Sequence, residues 1–319
     1  MAGEFASPAL SLRGVTKRYG DFTAVDALSV EVERGQIFGV LGPNGAGKTT
    51  TLRMVNDIIA PDEGEIHVLG LPPGREAAVR IGYLPEERGL YPKMKVSALL
   101  GFFGELRGLS SGEARRRAGA WLERMELGAW AAHKVQDLSK GMQQKVQFAT
   151  ALIHEPELLI LDEPWSGLDP INAEVLRDIV LEQRDAGRTI VFSTHLMEQA
   201  EKICDGVCII ARGRKVVDGR LDAIKREAAS GRLVAVSFDG EAAAPTPPVL
   251  ADTAMVAGQR ERKGYLELEL AAGVDPQALL TALLDGGARL RRFEVIEPTL
   301  HQIFVDRVGA ANAREEIRA

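Results

Sequence analysis

The sequence predicts an α/β fold followed by a small α+β domain, and three features carry that prediction. The apolar runs in "QIFGVLG", "ELLILDEP" and "RTIVFSTH" each end at glycine or polar residues, as strands buried on both faces do. Helical spacing separates them, so the sheet is parallel at least in part. Near Arg220 the pattern changes to short alternating strands around a capped helix.

In chain order, "SLRGVTKRYG" and "ALSVEVERG" alternate apolar and polar residues and read as half-buried strands of an antiparallel β subdomain. "QIFGVLG" runs into a glycine loop, after which "KTTTLRMVNDII" has helical spacing through Leu52, Val55, Ile58 and Ile59. From about 92 to 154 the pattern is helical and reads as a helical subdomain inserted at the sheet's edge. Within it, Ser110 and Glu113 have capping-box spacing for a helix reaching about Glu126. "CDGVCIIARGRKVVDG" reads as a closing hairpin, so the first domain spans 1–219.

The segment 220–310 predicts the separate α+β domain. Val234, Val236 and Phe238 share one strand face, and Leu266, Leu268 and Leu270 share another. The Ala- and Pro-rich stretch from Gly240 to Gly258 has no period and reads as a loop. Asp275 and Pro276 start a helix as cap and first-turn proline, and Gly286 and Gly287 stop it. "RFEVIEP" reads as a strand. The last helix carries Leu300, Ile303, Phe304 and Val308 on one face, with 311–319 as a tail.

A chain of 319 residues has room for these two domains, and 26% charged residues is ordinary for a water-exposed protein. The net charge of −6 argues against a general nucleic-acid binder, which would carry a basic excess. Cys204 and Cys208 are two cysteines without further metal ligands nearby, and they read as buried core thiols in a reducing cytoplasm. No apolar run approaches the roughly 18 residues of a membrane span, and "MAGEFASPAL" lacks the marks of a signal peptide. The expected location is cytoplasmic.

The chemistry starts in "LGPNGAGKTT". Gly42 to Thr49 fits the phosphate-binding pattern G-x-x-x-x-G-K-[ST] without a gap. The stretch Gly42, Pro43, Asn44, Gly45, Ala46 and Gly47 lets the backbone curl so that its N–H groups point at the β- and γ-phosphates. The helix that follows adds a positive end of roughly half a charge. Lys48 supplies a cation, the hydroxyl of Thr49 belongs on Mg²⁺, and Thr50 sits beside it against the nucleotide. "LLILDEP" delivers Asp162 to a strand end, where it can hold the Mg²⁺ shell, and Glu163 can polarise an attacking water. The plainer readings are a chance glycine turn and two solvated acids, but strand, loop and helix arrive in the order a P-loop NTPase core requires. A triphosphate with Mg²⁺ is the predicted ligand.

By itself "LSKGMQQK" looks like a helix start at Ser139. Together with the glycine loop, "LDEP", "SGLD" at Ser166 to Asp169, and His195 closing "IVFSTH", it resembles the nucleotide-binding subunit of ABC transporters over about the first 215 residues. The resemblance implies two ATP molecules sandwiched between two such domains placed head to tail. Each glycine loop would then face Ser139, Lys140, Gly141 and Met142 of the other copy, with Asp169 tying the dimer together. It also implies that Tyr19, in "TKRYG", stacks on adenine and that His195 contacts the γ-phosphate, so Lys48, Glu163 and His195 form the catalytic set. Glu86, in "YLPEERGLYP", stands where the family usually has Gln, and it is expected to reach Mg²⁺ and couple to a partner. The plainer alternatives are a surface aromatic for Tyr19, a satisfied strand-end histidine for His195 and a turn cap for Glu86.

"YLPEERGLYPKMKV" followed by "LSKGMQQKVQF" resembles, more narrowly, the ATPase subunits of bacterial exporters of the sodium- and drug-efflux type. In that group "EPTLHQIFVDRV" looks like the closing segment of an accessory domain. The resemblance implies a transmembrane permease partner and a homodimer or heterodimer of nucleotide-binding subunits on the inner face of the cell membrane. The alternative is a soluble ABC-type ATPase acting on ribosomes or DNA. Such relatives usually carry paired nucleotide domains, a long coiled coil or zinc cysteines, and this sequence has none of them. A non-hydrolysing regulatory module is disfavoured because Lys48, Asp162, Glu163 and His195 are all in place.

Overall fold

In the computed structural model, residues 7–87, 89–229, 233–239 and 247–316 are described, and the chain divides into two compact units, Met1–Arg220 and Leu221–Ala319. The first unit opens with an antiparallel pair, β1 (Leu10–Tyr19) and β2 (Phe22–Val32). The strand β3 (Ile37–Leu41) leads through the glycine loop into α1 (Lys48–Val55). β4 (Glu63–Val68) returns to β1 and completes an antiparallel sheet of order β2-β1-β4. α2 (Arg75–Ala78) and β5 (Ile81–Leu84) precede three helices, α3 (Val96–Leu106), α4 (Ser111–Arg124) and α5 (Lys140–Leu152). The unit ends with β6 (Leu158–Asp162), α6 (Pro170–Asp185), β7 (Thr189–Thr194), α7 (Met197–Ile203) and the hairpin β8 (Gly206–Ala211) and β9 (Arg214–Arg220).

The larger sheet has order β5-β6-β7-β3-β8-β9, and its pairs are parallel except for the closing hairpin. Every residue of β3, β6 and β7 is buried, which is why those runs show no alternation in the sequence. Register pairs Leu41 with Thr194 and Asp162 with Ser193. The C-terminal ends of three central strands therefore emerge together, where open α/β sheets hold their ligands. Cys204 and Cys208 are buried free thiols, and burial pushes Cys208 up to about 12.

Local chemistry shortens one predicted helix and leaves another half-capped. α1 stops at Val55, because Asp57 takes a left-handed φ of 58° and the Ile58 N–H turns back to the Arg53 carbonyl at 3.0 Å. Ile58 is left exposed beyond it. At α4 only half of the capping box forms. Ser110 Oγ accepts from the Glu113 N–H at 3.3 Å, but the Glu113 carboxylate turns to Arg116 and Arg117, which hold it down at about 2.

His154, just beyond α5, is tied to the sheet by its Nε2–H, which donates to the Ile81 carbonyl at 3.1 Å. Its Nδ1 is buried without a hydrogen-bond partner. Burial, reinforced by the Arg107 charge, pushes the ring down to about 4. In the unfolded chain the ring takes a proton below about 6.5. The unfolded state therefore binds more protons in this window, and stability present above pH 6.5 is lost as pH falls towards 4. His154→Gln is expected to remove about 2 kcal/mol of the loss between pH 7 and 5, read from urea unfolding. Parallel pH profiles for the two proteins would show that His154 titrates normally.

The second unit contains α8 (Leu221–Ala229), β10 (Leu233–Phe238), β11 (Val256–Arg262), β12 (Tyr265–Leu270), α9 (Pro276–Asp285), β13 (Leu290–Val295) and α10 (Leu300–Glu316). Its sheet is antiparallel with order β11-β12-β10-β13. Val234, Val236, Leu268 and Leu270 pack with Leu279 and Leu283 of α9 into a separate core. Glu267 and Glu269 alternate with those leucines onto the opposite face, and Glu267 pairs there with Arg262 at 3.0 Å.

Two expectations for this unit are corrected. β11 begins inside the predicted loop, and as a charged edge strand burying only Val256 it has no apolar alternation to reveal it. α10 continues through the predicted tail to Glu316, since "AANAREE" consists mostly of good helix formers. The part of the loop at 240–246 lies outside the described residues. Among the described residues no helix is long and apolar enough to cross a membrane.

Candidate functional site

The glycine loop joins β3 to α1, and its glycines are fixed by what surrounds them. Gly42 has φ 153°, and a Cβ there would meet the Ile210 carbonyl oxygen at 2.2 Å; at Gly47, with φ 104°, it would meet that of Ala24 at 2.4 Å. Both contacts are backbone, so neither side can yield. Lys48, the first residue of α1, folds back over the loop and donates to the carbonyls of Gly42 at 2.9 Å and Pro43 at 3.2 Å.

The two acids at the end of β6 complete the site beside this lysine. Thr49 Oγ1 donates to Asp162 Oδ1 at 3.2 Å, and Ser193 Oγ donates to the same oxygen at 2.5 Å. Burial raises the Asp162 carboxyl above the usual aspartate range despite both hydrogen bonds. Its second oxygen, Oδ2, is buried with no hydrogen-bond partner. Glu163 is also buried, with Oε1 at 3.5 Å from Lys48 Nζ and the two carboxylate oxygens at 3.0 and 3.1 Å from His195 Nδ1. Its backbone takes φ 47°, a conformation that costs a side-chain-bearing residue about 1–2 kcal/mol. The Ser193 hydroxyl accepts from the Glu163 N–H at 3.0 Å and so fixes the turn between the two acids.

Tyr19, Asn44, Gly45, Ala46, Gly47, Lys48, Thr49, Thr50, Glu86 and Glu163 line one cavity of about 470 Å³. Phe22 and Ala24 line it as well. Ser139, Lys140, Gly141, Met142 and Asp169 do not line it and form a second group. Ser139 caps α5, accepting from the Met142 N–H at 3.3 Å, and Asp169 caps α6, accepting from the N–H of Asn172 at 3.0 Å and its side chain at 2.5 Å. Asn172 also lies 3.4 Å from where a Cβ on Gly141 would sit, so it links the two helix starts. Asn172, Ser193 and Phe22 were not singled out from the sequence. Ser193 alone left a signal there, as a polar residue inside a buried apolar strand.

Chemically, the cavity offers bare backbone and one cation at its inner end, oxygen ligands beside them, and a carboxylate held between a lysine and a histidine. Aromatic rings stand at the outer end. That is an arrangement for a nucleotide triphosphate. Comparison with known proteins agrees. Residues 25–166 match the ABC transporter family, and 219–308 match the DrrA1-3-like ATP-binding protein C-terminal domain. The chain is 42% identical to the uncharacterized ABC transporter ATP-binding protein YhaQ of Bacillus subtilis, covering 94% of this chain and 99% of that one. It is 44% identical to the Nod factor export ATP-binding protein I of Cupriavidus metallidurans, over 66% of this chain and 71% of that one. A solved dimeric ATP-binding cassette, in a post-hydrolysis state with ADP and Pi, matches with a TM-score of 0.61 and 25% identity over 66% of this chain and 98% of its own. The chain therefore belongs to the ABC transporter family, as an ATP-binding and ATP-hydrolysing subunit.

Proposed function

We propose that this subunit drives export through a separate membrane permease by an ATP-dependent cycle of dimerisation. The observation that carries the reading is the buried Glu163 carboxylate, held between Lys48 and His195 at the phosphate end of the cavity. Glu163 orients and polarises a water for in-line attack on the γ-phosphorus. Lys48 and the loop N–H groups take up the charge that develops on the phosphate oxygens. His195 holds Glu163 in place and reaches the γ-phosphate.

Thr49, Asp162 and Glu86 suit a hard divalent cation, because all three present oxygen and Asp162 Oδ2 is a buried acceptor lacking a partner. Bound there, Mg²⁺ would neutralise phosphate charge. Ser139 to Met142 and Asp169 complete the nucleotide site of a second subunit, the same chain or a relative. The dimeric state of the solved cassette supports this. The direction rests on the likeness to a Nod factor export protein.

A membrane partner on the inner face is supported by an apolar patch on α3 and the segment before it. Tyr91, Phe102 and Leu106 are exposed there, with Tyr91 edge-on to Phe102 at 5.9 Å between centroids. The test is capture by tagged Glu163→Gln protein from detergent-solubilised membranes with MgATP. A multi-span membrane protein in fixed ratio supports the reading. Recovery of ribosomes or DNA instead would install the soluble-ATPase alternative. Phe102→Glu combined with Leu106→Glu is expected to lose that membrane protein while soluble ATP hydrolysis stays within about twofold. Undiminished capture would move the docking surface elsewhere.

A further inference from the structure

We propose that Phe22 shares with Tyr19 the task of holding the nucleotide base, so that two rings on facing strands, and not one, set base recognition. The inference rests on the cavity being the nucleotide site. Tyr19 ends β1 and Phe22 begins β2, and the two are register partners across the turn made by Gly20 and Asp21. Residues directly opposite one another project their side chains from the same face of the sheet. Both rings line the cavity that holds Lys48, and both are largely in solvent, Tyr19 50% and Phe22 63% exposed.

A phenylalanine at that exposure buries little apolar surface, so its place is not explained by packing. Ala24 lies two residues along β2, is buried and also lines the cavity. Its small side chain leaves room between the Phe22 ring and the glycine loop. The Tyr19 ring has Lys17 Nζ at 5.7 Å from its centroid, and Asp62 holds that ammonium at 2.9 Å. Tyr19 is thereby restrained on the side of β1.

The charged groups lining this cavity among the described residues are Lys48, Glu86 and Glu163. The first and last belong to the phosphate end, and Glu86 was assigned above to the metal. The outer end presents aromatic rings. Stacking on such rings recognises the flat face of a base and rewards its area. Purine nucleotides should gain more from Phe22 than pyrimidine ones.

The experiment measures binding of MgATP, MgCTP and magnesium tripolyphosphate to the full chain and to Phe22→Ala, Phe22→Tyr and Tyr19→Ala. Phe22→Ala is expected to weaken ATP about tenfold and CTP less, to raise KM more than it lowers kcat, and to leave tripolyphosphate affinity in place. Phe22→Tyr should restore ATP binding. ATP affinity within twofold of wild type in Phe22→Ala, while Tyr19→Ala still weakens it, overturns the proposal. So does an equal loss for ATP and tripolyphosphate, which would place the effect in the loop or the fold. A wild-type chain that binds neither ATP nor tripolyphosphate would overturn the nucleotide reading itself and this proposal with it.

Discussion

Glu163→Gln is expected to bind MgATP nearly as the wild type does, to lose turnover about a hundred- to ten-thousand-fold, and to accumulate as an ATP-held dimer. The amide has the shape of the carboxylate and can keep a polar contact with Lys48, so the loop is left intact. What it loses is basicity at a buried carboxylate within 3.5 Å of Lys48 and 3.1 Å of His195. Binding then proceeds and the water is not activated. Phosphate release gives the first readout, and light scattering on a sizing column gives the second. More than a tenth of wild-type turnover would remove Glu163 from the role assigned to it. A protein that stays monomeric at saturating MgATP would remove the composite site instead.

Lys48→Ala is expected to act on both binding and stability. A charge-assisted contact to phosphate is lost, which weakens ATP by about ten- to a hundredfold. The carbonyls of Gly42 and Pro43 lose their donor, and the buried Glu163 carboxylate loses its neighbouring cation. An uncompensated buried charge of this kind costs about 3 kcal/mol. Calorimetric titration and urea unfolding report the two effects separately. Lys48→Met keeps most of the side-chain volume and should show the same loss of affinity, which excludes cavity formation as the cause. Unchanged ATP affinity in both variants would sink the reading of the loop.

What the sequence made legible here were the features set by local chemistry. Gly42 to Thr49 announce a phosphate loop because each residue type in it answers one demand of a polyanion. The strands behind Asp162 and His195 were legible because full burial leaves an unbroken apolar run. Contacts made across elements were not. Asn172 lies beside Gly141 and hydrogen-bonds Asp169, and Ser193 hydrogen-bonds both Asp162 and Glu163, in contacts that span from three to 31 residues and follow no period. The end of α1 was missed for a related reason. Ile58 continues the helical spacing, but the left-handed turn at Asp57 sends the Ile58 N–H back to the Arg53 carbonyl. β11 was missed because an edge strand that faces water needs no apolar face.

The strict alternation of β12 has a consequence for how such chains can change length. Leu266, Leu268 and Leu270 face the core side while Glu267 and Glu269 face the other way. Inserting or deleting one residue inside this strand would turn every side chain beyond that point to the opposite face, carrying carboxylates into an apolar interior and leucines out of it. The same event in the connection at 271–275 moves no side chain across the sheet. A change of length is therefore taken up at less cost in that connection than inside β12, where one added residue must be absorbed as a bulge.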